Sequence, residues 1–312
     1  MALKTYPVLG VMAGSSADGV DIAYCVFQKK EKWDFQLLAC ETFPYSNKEI
    51  DLLKKLHTLS GEELIAVDRF FSKIYAQKIL TFTRKYNVQP KLIGLHGHTV
   101  FHNPAKGYTY QLGHGGIIAS LTNIPVVSDF RSQDIALGGE GAPLVPLGDE
   151  IFFDKYDAVL NIGGIANISF KKGRKRLGYD IVPANQLLNY EAQMINLSYD
   201  DKGMIARKGK IIQSFYEQMI ETQSKKPPHK SIGREDVEKH YLPIINKFAG
   251  HPVPDLLRTT SEFIAEIISN HLEQFKNVLI TGGGAHNTFL LELIQKKLPS
   301  LHITVPKKDI VD

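Results

Sequence analysis

Near the N-terminus apolar positions alternate in part with polar ones, the two-residue beat of a pleated strand. The runs VLGVM (8–12), DIAYCVF (21–27) and WDFQLLACETF (33–43) are rich in Val, Ile and aromatics, and they predict adjacent antiparallel strands. The beat then turns helical. From about Gly61 to Tyr86, the residues Leu64, Val67, Phe70, Phe71, Ile74 and Ile79 recur at helical spacing. KLIGLHGHTVFH (91–102) predicts a buried strand running into a polar turn. GGIIASLTN (115–123) predicts a short helix and IPVVSDF (124–130) a further strand.

A second β-rich start follows at Asp157 with DAVLNIGGIANISF. It repeats the opening layout of apolar run, glycine-bearing turn and apolar run, which predicts two similar halves, each continued by helices. Helices are expected over NQLLNYEAQMI (185–195) and KIIQSFYEQMIETQ (210–223). The clearest is TTSEFIAEIISNHLEQF (259–275), where Phe263, Ile264, Ile267, Ile268, Leu272 and Phe275 make one apolar face and Thr260 or Ser261 is the expected N-cap. KNVLITGGGAHNTFLLELIQKKL (276–298) reads as strand, triple-glycine turn and helix, and the Pro-bearing KKPPHKSIGRED (225–236) as a loop.

Composition narrows the class. With 312 residues, 43% hydrophobic and 22% charged, the chain has the make-up of a soluble globular protein large enough for two domains. A net charge of +4 is modest. The densest basic run, Lys171, Lys172, Arg174, Lys175 and Arg176 around Gly173, reads as a solvated hairpin turn rather than a nucleic-acid patch. Cys25 and Cys40 form no CxxC pair and imply no disulfide framework. No stretch approaches a membrane span and the first residues lack a signal-peptide core, so a cytoplasmic protein is expected.

Three turns carry more chemistry than a chain reversal needs: Gly14 to Gly19, Gly163 to Asn167, and Gly282 to Asn287. A strand leading to backbone N–H groups and small side chains is a cradle for phosphate oxygens. None fits GxxxxGK[ST], and GGGAHN lacks the GxGxxG spacing of a dinucleotide turn. Two such hairpins in matching halves suit a nucleotide clamped between two domains. His96, His98 and His102 match no metal-site spacing.

These residues carry a family resemblance. In order, GVMAGSSADGVDIA, GLHGHTVFHNP, VVSDFRSQDIALGGEGAPLVP, LNIGGIANIS, YDIVPANQLLN, PPHKSIGRE and LITGGGAHN resemble the anhydro-N-acetylmuramic acid kinases, of the actin-like ATPase and sugar kinase superfamily. The resemblance implies an α/β fold of two ribonuclease H-like domains, 1–130 and 131–312, with an interdomain nucleotide cleft. It also implies a further helical segment that family members carry beyond the point where this sequence stops. The implied reaction uses ATP, Mg²⁺ and water to open 1,6-anhydro-N-acetylmuramic acid and phosphorylate O6, in cell-wall recycling. A homodimer is admitted; a nucleic-acid or membrane partner is not. A chaperone-like ATPase of the same superfamily and a catalytically inactive relative stand as alternatives.

The resemblance also assigns roles. Gly14, Ser15, Ser16, Ala17, Asp18, Gly19, Val20 and Asp21 would bind ATP phosphates together with Gly163 and Gly164, and Asp18 would hold Mg²⁺ through water. Gly282, Gly283, Gly284 and Asn287 would lie near the adenosine. Asp180 would be the general base that takes the proton of the attacking water. Arg131 suits the sugar's lactyl carboxylate, with Asp129 and Asp134 orienting it or bonding sugar hydroxyls, and His96 would lie near the sugar. The chain departs from the family pattern in places: HGQT reads HGHT here, with His98 for Gln, and His114 stands where an acid is common.

Overall fold

The computed structural model describes residues 4–14, 19–226 and 232–306. The chain divides into two compact units, 1–144 and 145–312. In the first, β1 (Lys4–Ala13), β2 (Gly19–Lys29) and β3 (Trp33–Pro44) form the antiparallel meander that their alternation predicts. Leu9, Val11 and Ala13 of β1 are buried while Gly10 and Met12 between them are exposed, so one face is core and the other is not.

Helix α1 (Asn47–Leu53) leads to α2 (Gly61–Tyr86), which spans the predicted residues. Its start is a capping box of Ser60 and Glu63, and its stop is Asn87 in the left-handed conformation, φ +50°. Phe71, Tyr75, Ile79 and Phe82 of α2 are fully buried against the sheet. Each contributes about 1.5–3 kcal/mol of apolar burial. Strand β4 (Leu92–Asn103) lies parallel to β1, giving the order β3-β2-β1-β4.

Beyond β4 the structure departs from the expectation. Instead of ending in a polar turn after His102, β4 runs on to Asn103. It reverses through Gly107 (φ +78°) into a strand that the pattern did not predict, β5 (Tyr108–Leu112). Five residues are too few for alternation to stand out; pairing with β4 makes them a strand. Helix α3 (Gly115–Thr122) and the strand β6 (Val126–Ser128), parallel to β4, follow as predicted, then α4 (Ser132–Ala136). His114, the departure from the family's acid, caps α3 by accepting from the Ile117 N–H at 3.3 Å.

The second unit opens with α5 (Val145–Phe152), then the meander β7 (Ala158–Ile162), β8 (Ile165–Lys172) and β9 (Lys175–Pro183). Helices α6 (Asn185–Gln193), α7 (Gln213–Ser224), α8 (Arg234–His240), α9 (Leu242–Lys247) and α10 (Val253–Leu272) precede β10 (Asn277–Thr281). Then come α11 (Thr288–Lys297) and β11 (His302–Thr304). The sheet order is β11-β10-β7-β8-β9, with β10 parallel to β7 and β11 parallel to β10.

Among the described residues the two sheets share one plan: an antiparallel meander whose first strand is flanked by a parallel strand reached through helices, with one more parallel strand beyond. This is the ribonuclease H-like arrangement, present twice. The β4–β5 hairpin is an addition to the first copy.

Two helix starts need correcting. Helix α10 begins at Val253, not at Thr260 or Ser261. Pro254 sits in its first turn, where a missing N–H costs nothing. Thr260 and Ser261 are buried in mid-helix with their hydroxyls engaged, Thr260 donating to Glu191 at 2.5 Å and Ser261 to the Leu257 carbonyl at 2.7 Å. Helix α7 begins at Gln213 rather than Lys210, because side chains of α10 capture the preceding backbone. The Lys210 N–H donates to Asp255 at 2.7 Å and the Ile212 N–H to Thr259 at 2.9 Å.

Candidate active site

In the second unit two of the three glycine turns come together. The Gly163–Gly164 turn joins β7 to β8, and its carbonyls accept from the N–H groups of Ala184 (2.9 Å), Asn185 (3.2 Å) and Gln186 (3.2 Å) at the entry to α6. The Asn185 side chain donates to the Ile162 carbonyl at 3.2 Å. The Gly282–Gly284 turn after β10 closes on the same point. A Cβ on Gly284 would stand 2.3 Å from Ile162 Cγ2, and one on Gly282 (φ +78°) would stand 2.2 Å from Asn161 Oδ1. Only glycine lets β10's turn approach β7 so closely. Gly283 differs, since its nearest neighbour would be Asn185 Nδ2 at 3.9 Å, and it faces open space.

That space is a pocket of about 550 Å³ lined by Gly283, Gly284, His286 and Asn287 from one side and by Asn185, Leu188 and Asn189 from α6. Tyr199, Asp200, Asp201 and Lys202 complete it. Three of the four residues expected near an adenosine therefore line one pocket, while Gly282 serves the turn beneath it. Asn287 also caps α11, accepting from the Leu290 N–H at 3.0 Å. Asp200 is committed to the fold, its two oxygens accepting from Ile205 and Ala206, each at 2.9 Å.

The sequence reading singled out neither the α6 amides nor Tyr199 and Lys202. For the amides a signal existed: Asn185, Leu188 and Asn189 are spaced i, i+3 and i+4 on one helix face. Tyr199 and Lys202 come from an irregular segment and only the tertiary fold brings them in.

Asp180 lies on β9, half-buried, opposite Asn167. The β8–β9 register slips at this point, from Ala166↔Val182 to Asn167↔Asp180, so Ile181 is an extra residue and the strand bulges beside Asp180. Its Oδ2 accepts from the Ile232 N–H at 2.9 Å. The strand then runs through Pro183 into Asn185 at the pocket wall.

In the first unit a second bulge displays His96. β1 pairs Val11 with Leu95 and Met12 with Gly97, leaving His96 as the extra residue of β4. Gly97 takes φ +75°, and a Cβ on it would lie 2.0 Å from the Leu112 carbonyl oxygen, so this bulge requires glycine. The Arg131 guanidinium donates to His96 Nε2 through both Nε (3.0 Å) and Nη2 (2.8 Å). Since Nε2 accepts, the proton is on Nδ1, which donates to the Gly97 carbonyl at 2.7 Å. Burial lowers the His96 pKa, opposed by the Gly97 hydrogen bond and assisted by the positive Arg131. Burial likewise lowers that of Arg131.

Arg131 Nη1 donates to the Gly141 carbonyl at 2.7 Å, and the Gly141 N–H donates to Asp134 Oδ2, also at 2.7 Å. Asp134 thus orients the arginine through Gly141, not by a direct ion pair. Asp129, with φ +60°, accepts from the Ser132 hydroxyl at 2.6 Å.

Of the first glycine turn, Ser15, Ser16, Ala17 and Asp18 lie outside the described residues. The Gly14 carbonyl meets His98 Nδ1 at 3.1 Å, so the residue that stands for the family's Gln ties β4 to this turn. Burial lowers the His98 pKa, opposed by that hydrogen bond. A Cβ on Gly19 would lie 2.7 Å from the Phe43 carbonyl oxygen. Val20 is buried in the core, and Asp21 accepts from the Thr42 hydroxyl at 2.6 Å. Among the described residues no group of three His, Cys, Asp or Glu could hold a metal ion. No described helix is long and apolar enough to cross a membrane.

A ribonuclease H-like plan present twice, with a glycine-walled pocket after the second meander, defines the class as an actin-like ATPase or sugar kinase fold. Over residues 6–311 the chain matches the anhydro-N-acetylmuramic acid kinase family. It is 36% identical over 325 residues to the anhydro-N-acetylmuramic acid kinase of Synechococcus elongatus, covering 95% of this chain and 86% of that protein. To the enzyme of that name from Sulfurovum sp. it is 35% identical over 319 residues, again covering 95% and 86%. To that from Pseudomonas savastanoi pv. phaseolicola it is 36% identical over 326 residues, covering 97% and 87%. The chain belongs to the anhydro-N-acetylmuramic acid kinase family, an enzyme family acting on a small sugar. The chaperone-like alternative is not favoured.

Proposed function

We propose that the protein uses ATP and water to open the ring of 1,6-anhydro-N-acetylmuramic acid and place a phosphoryl group on O6, giving N-acetylmuramic acid 6-phosphate in the cytoplasm. The observation that carries this reading is local to the second unit. Two glycine turns meet around Ile162 beneath an open pocket, and the strand bearing Asp180 leads into that pocket's wall.

The residues fit an adenosine. Gly283 leaves open space, Asn185 and Asn189 offer amide donors and acceptors, and Tyr199, 61% exposed, offers a ring face for a base. The backbone of Gly163 and Gly164 is held rigidly by the entry to α6, which suits a phosphate neighbour. Mg²⁺, when bound, neutralises charge on the transferring phosphoryl group. Its ligands would be phosphate oxygens and water, with Asp18 the candidate to hold it through one of those waters.

Opening the anhydro ring requires water to attack the anomeric carbon as the C1–O6 bond breaks, and O6 to take the phosphoryl group. Asp180 accepts the proton from that water. The Ile232 N–H fixes its carboxylate, a positioning role that a base must have before its basicity matters. Arg131 takes the lactyl carboxylate. Its five N–H groups make three hydrogen bonds, one each from Nε, Nη1 and Nη2, leaving one N–H on each terminal nitrogen among the described residues.

The test is ADP release by the purified protein with Mg²⁺, with and without the anhydro sugar. Release that requires the sugar and yields its 6-phosphate supports the reading. Release indifferent to the sugar overturns the assigned acceptor.

A further inference from the structure

We infer that His96 is a positioning residue for Arg131: its ring occupies the Nε–Nη2 edge of the guanidinium and turns the remaining N–H groups toward a carboxylate of the substrate. The inference rests on the proposed pairing of Arg131 with the lactyl carboxylate, and it assigns His96 a role through the arginine rather than on the sugar itself.

Four features build this arrangement. The β4 bulge takes His96 out of register with β1, so that its side chain is aimed by the bulge rather than by the pleat. The Gly97 carbonyl holds Nδ1 at 2.7 Å and so fixes the tautomer in which Nε2 has a lone pair to offer. Arg131 meets that lone pair with two nitrogens, at 3.0 and 2.8 Å, the side-on grip that guanidinium otherwise gives a carboxylate. Asp134 and Gly141 hold the third nitrogen.

A neutral acceptor is the informative choice. A carboxylate in place of His96 would neutralise the guanidinium and compete with an anionic substrate; imidazole holds it in place and leaves the charge unspent. Burial first, and then the positive charge of Arg131, keep the ring neutral against the Gly97 hydrogen bond. His102 and Glu140 lie further along the same cluster, and His102 also feels Arg131.

The experiment compares two acceptors with the full-length protein, ATP and Mg²⁺: 1,6-anhydro-N-acetylmuramic acid and the same anhydro sugar without its lactyl ether. The wild type should have a KM about tenfold or more lower for the carboxylate-bearing sugar, the scale of a charged hydrogen bond. His96→Leu should raise that KM about tenfold, while leaving the KM for ATP and for the uncharged sugar in place. His96→Gln, whose amide reaches where Nε2 stands, should restore most of the preference. His96→Asn, whose amide reaches only as far as Nδ1, should not. If His96→Leu fails to fold, the Gln and Asn pair carries the test.

Equal loss for both sugars, or a preference that survives His96→Leu and His96→Asn but vanishes in Arg131→Leu, overturns the role of His96 while the arginine's role stands. A wild type with turnover but no preference between the sugars overturns the role of Arg131, and that of His96 with it.

Discussion

At Gly97 a Cβ would stand 2.0 Å from a backbone carbonyl, and φ is +75°, whereas at Gly107 φ is +78° but the space around a Cβ is open. The two positions separate two penalties. Gly107→Ala should cost about 1 kcal/mol for the left-handed backbone alone. Gly97→Ala adds the clash with Leu112 and should cost about 2–4 kcal/mol, read from urea unfolding midpoints at constant m. It should also weaken the sugar, because the bulge that presents His96 is lost. Asp180→Asn keeps the size of the side chain and its acceptor for the Ile232 N–H but cannot take a proton. Sugar-dependent ADP release should fall at least 100-fold, the scale of one general base, with ATP binding retained by calorimetry; undiminished turnover would remove Asp180 from the role. At this scale Asp180, Arg131 and the glycines were singled out as candidates by the motifs that resemble the family's. The link from Arg131 to His96 was not, since it spans 35 residues and depends on a bulge.

Elements decide which residues are presented and which are withdrawn. Both candidate sites sit at register slips, His96 in β4 and Ile181 beside Asp180 in β9, and a strict two-residue alternation would have read straight through them. Helix α6 has two faces with different work. Asn185, Leu188 and Asn189 line the pocket, while Glu191 is 0% exposed and accepts from Thr260 of α10. Burial pushes the Glu191 carboxyl up to about 8, against the smaller opposing effect of the Thr260 hydrogen bond. Folded-state affinity for the proton thus exceeds that of the unfolded chain, whose carboxyl has the ordinary value of 4.5. Between those values the unfolded state releases a proton that the native state keeps. Stability should therefore fall as pH rises through that window, by about 1 kcal/mol per pH unit at steepest, and level off above it. Glu191→Gln should flatten this slope in thermal melts recorded across the window; an unchanged slope would show that the carboxyl titrates normally.

On the scale of the whole molecule, each unit has its own buried cluster, one around Leu9, Phe71, Tyr75 and Ile93, the other around Leu160, Ile168, Phe263 and Ile280. The 550 Å³ pocket lies wholly within the second. Residues 145–312 expressed alone should fold cooperatively and gain thermal stability from adenine nucleotides. A nucleotide at 100 times its dissociation constant should add about 2.7 kcal/mol. A folded fragment that nucleotide does not stabilise would show that this pocket does not suffice for binding.

By itself the sequence determined what rests on neighbours along the chain. The span of α2 follows from helical periodicity between a capping box and a left-handed Asn87. The two meanders follow from apolar runs around glycine turns, and their repetition foretold a plan used twice. The tertiary structure decided what depends on partners distant in sequence. β5 exists because β4 is there to pair with it. Helix α10 runs from Val253 straight through Thr260 and Ser261, whose hydroxyls are taken by Glu191 and by the Leu257 carbonyl instead of by a helix start. His96 became an arginine's partner only when a bulge turned it out of register. Periodicity is a property of one chain segment, whereas register, burial and the choice of hydrogen-bond partner belong to pairs of segments, and those are settled only when the segments meet.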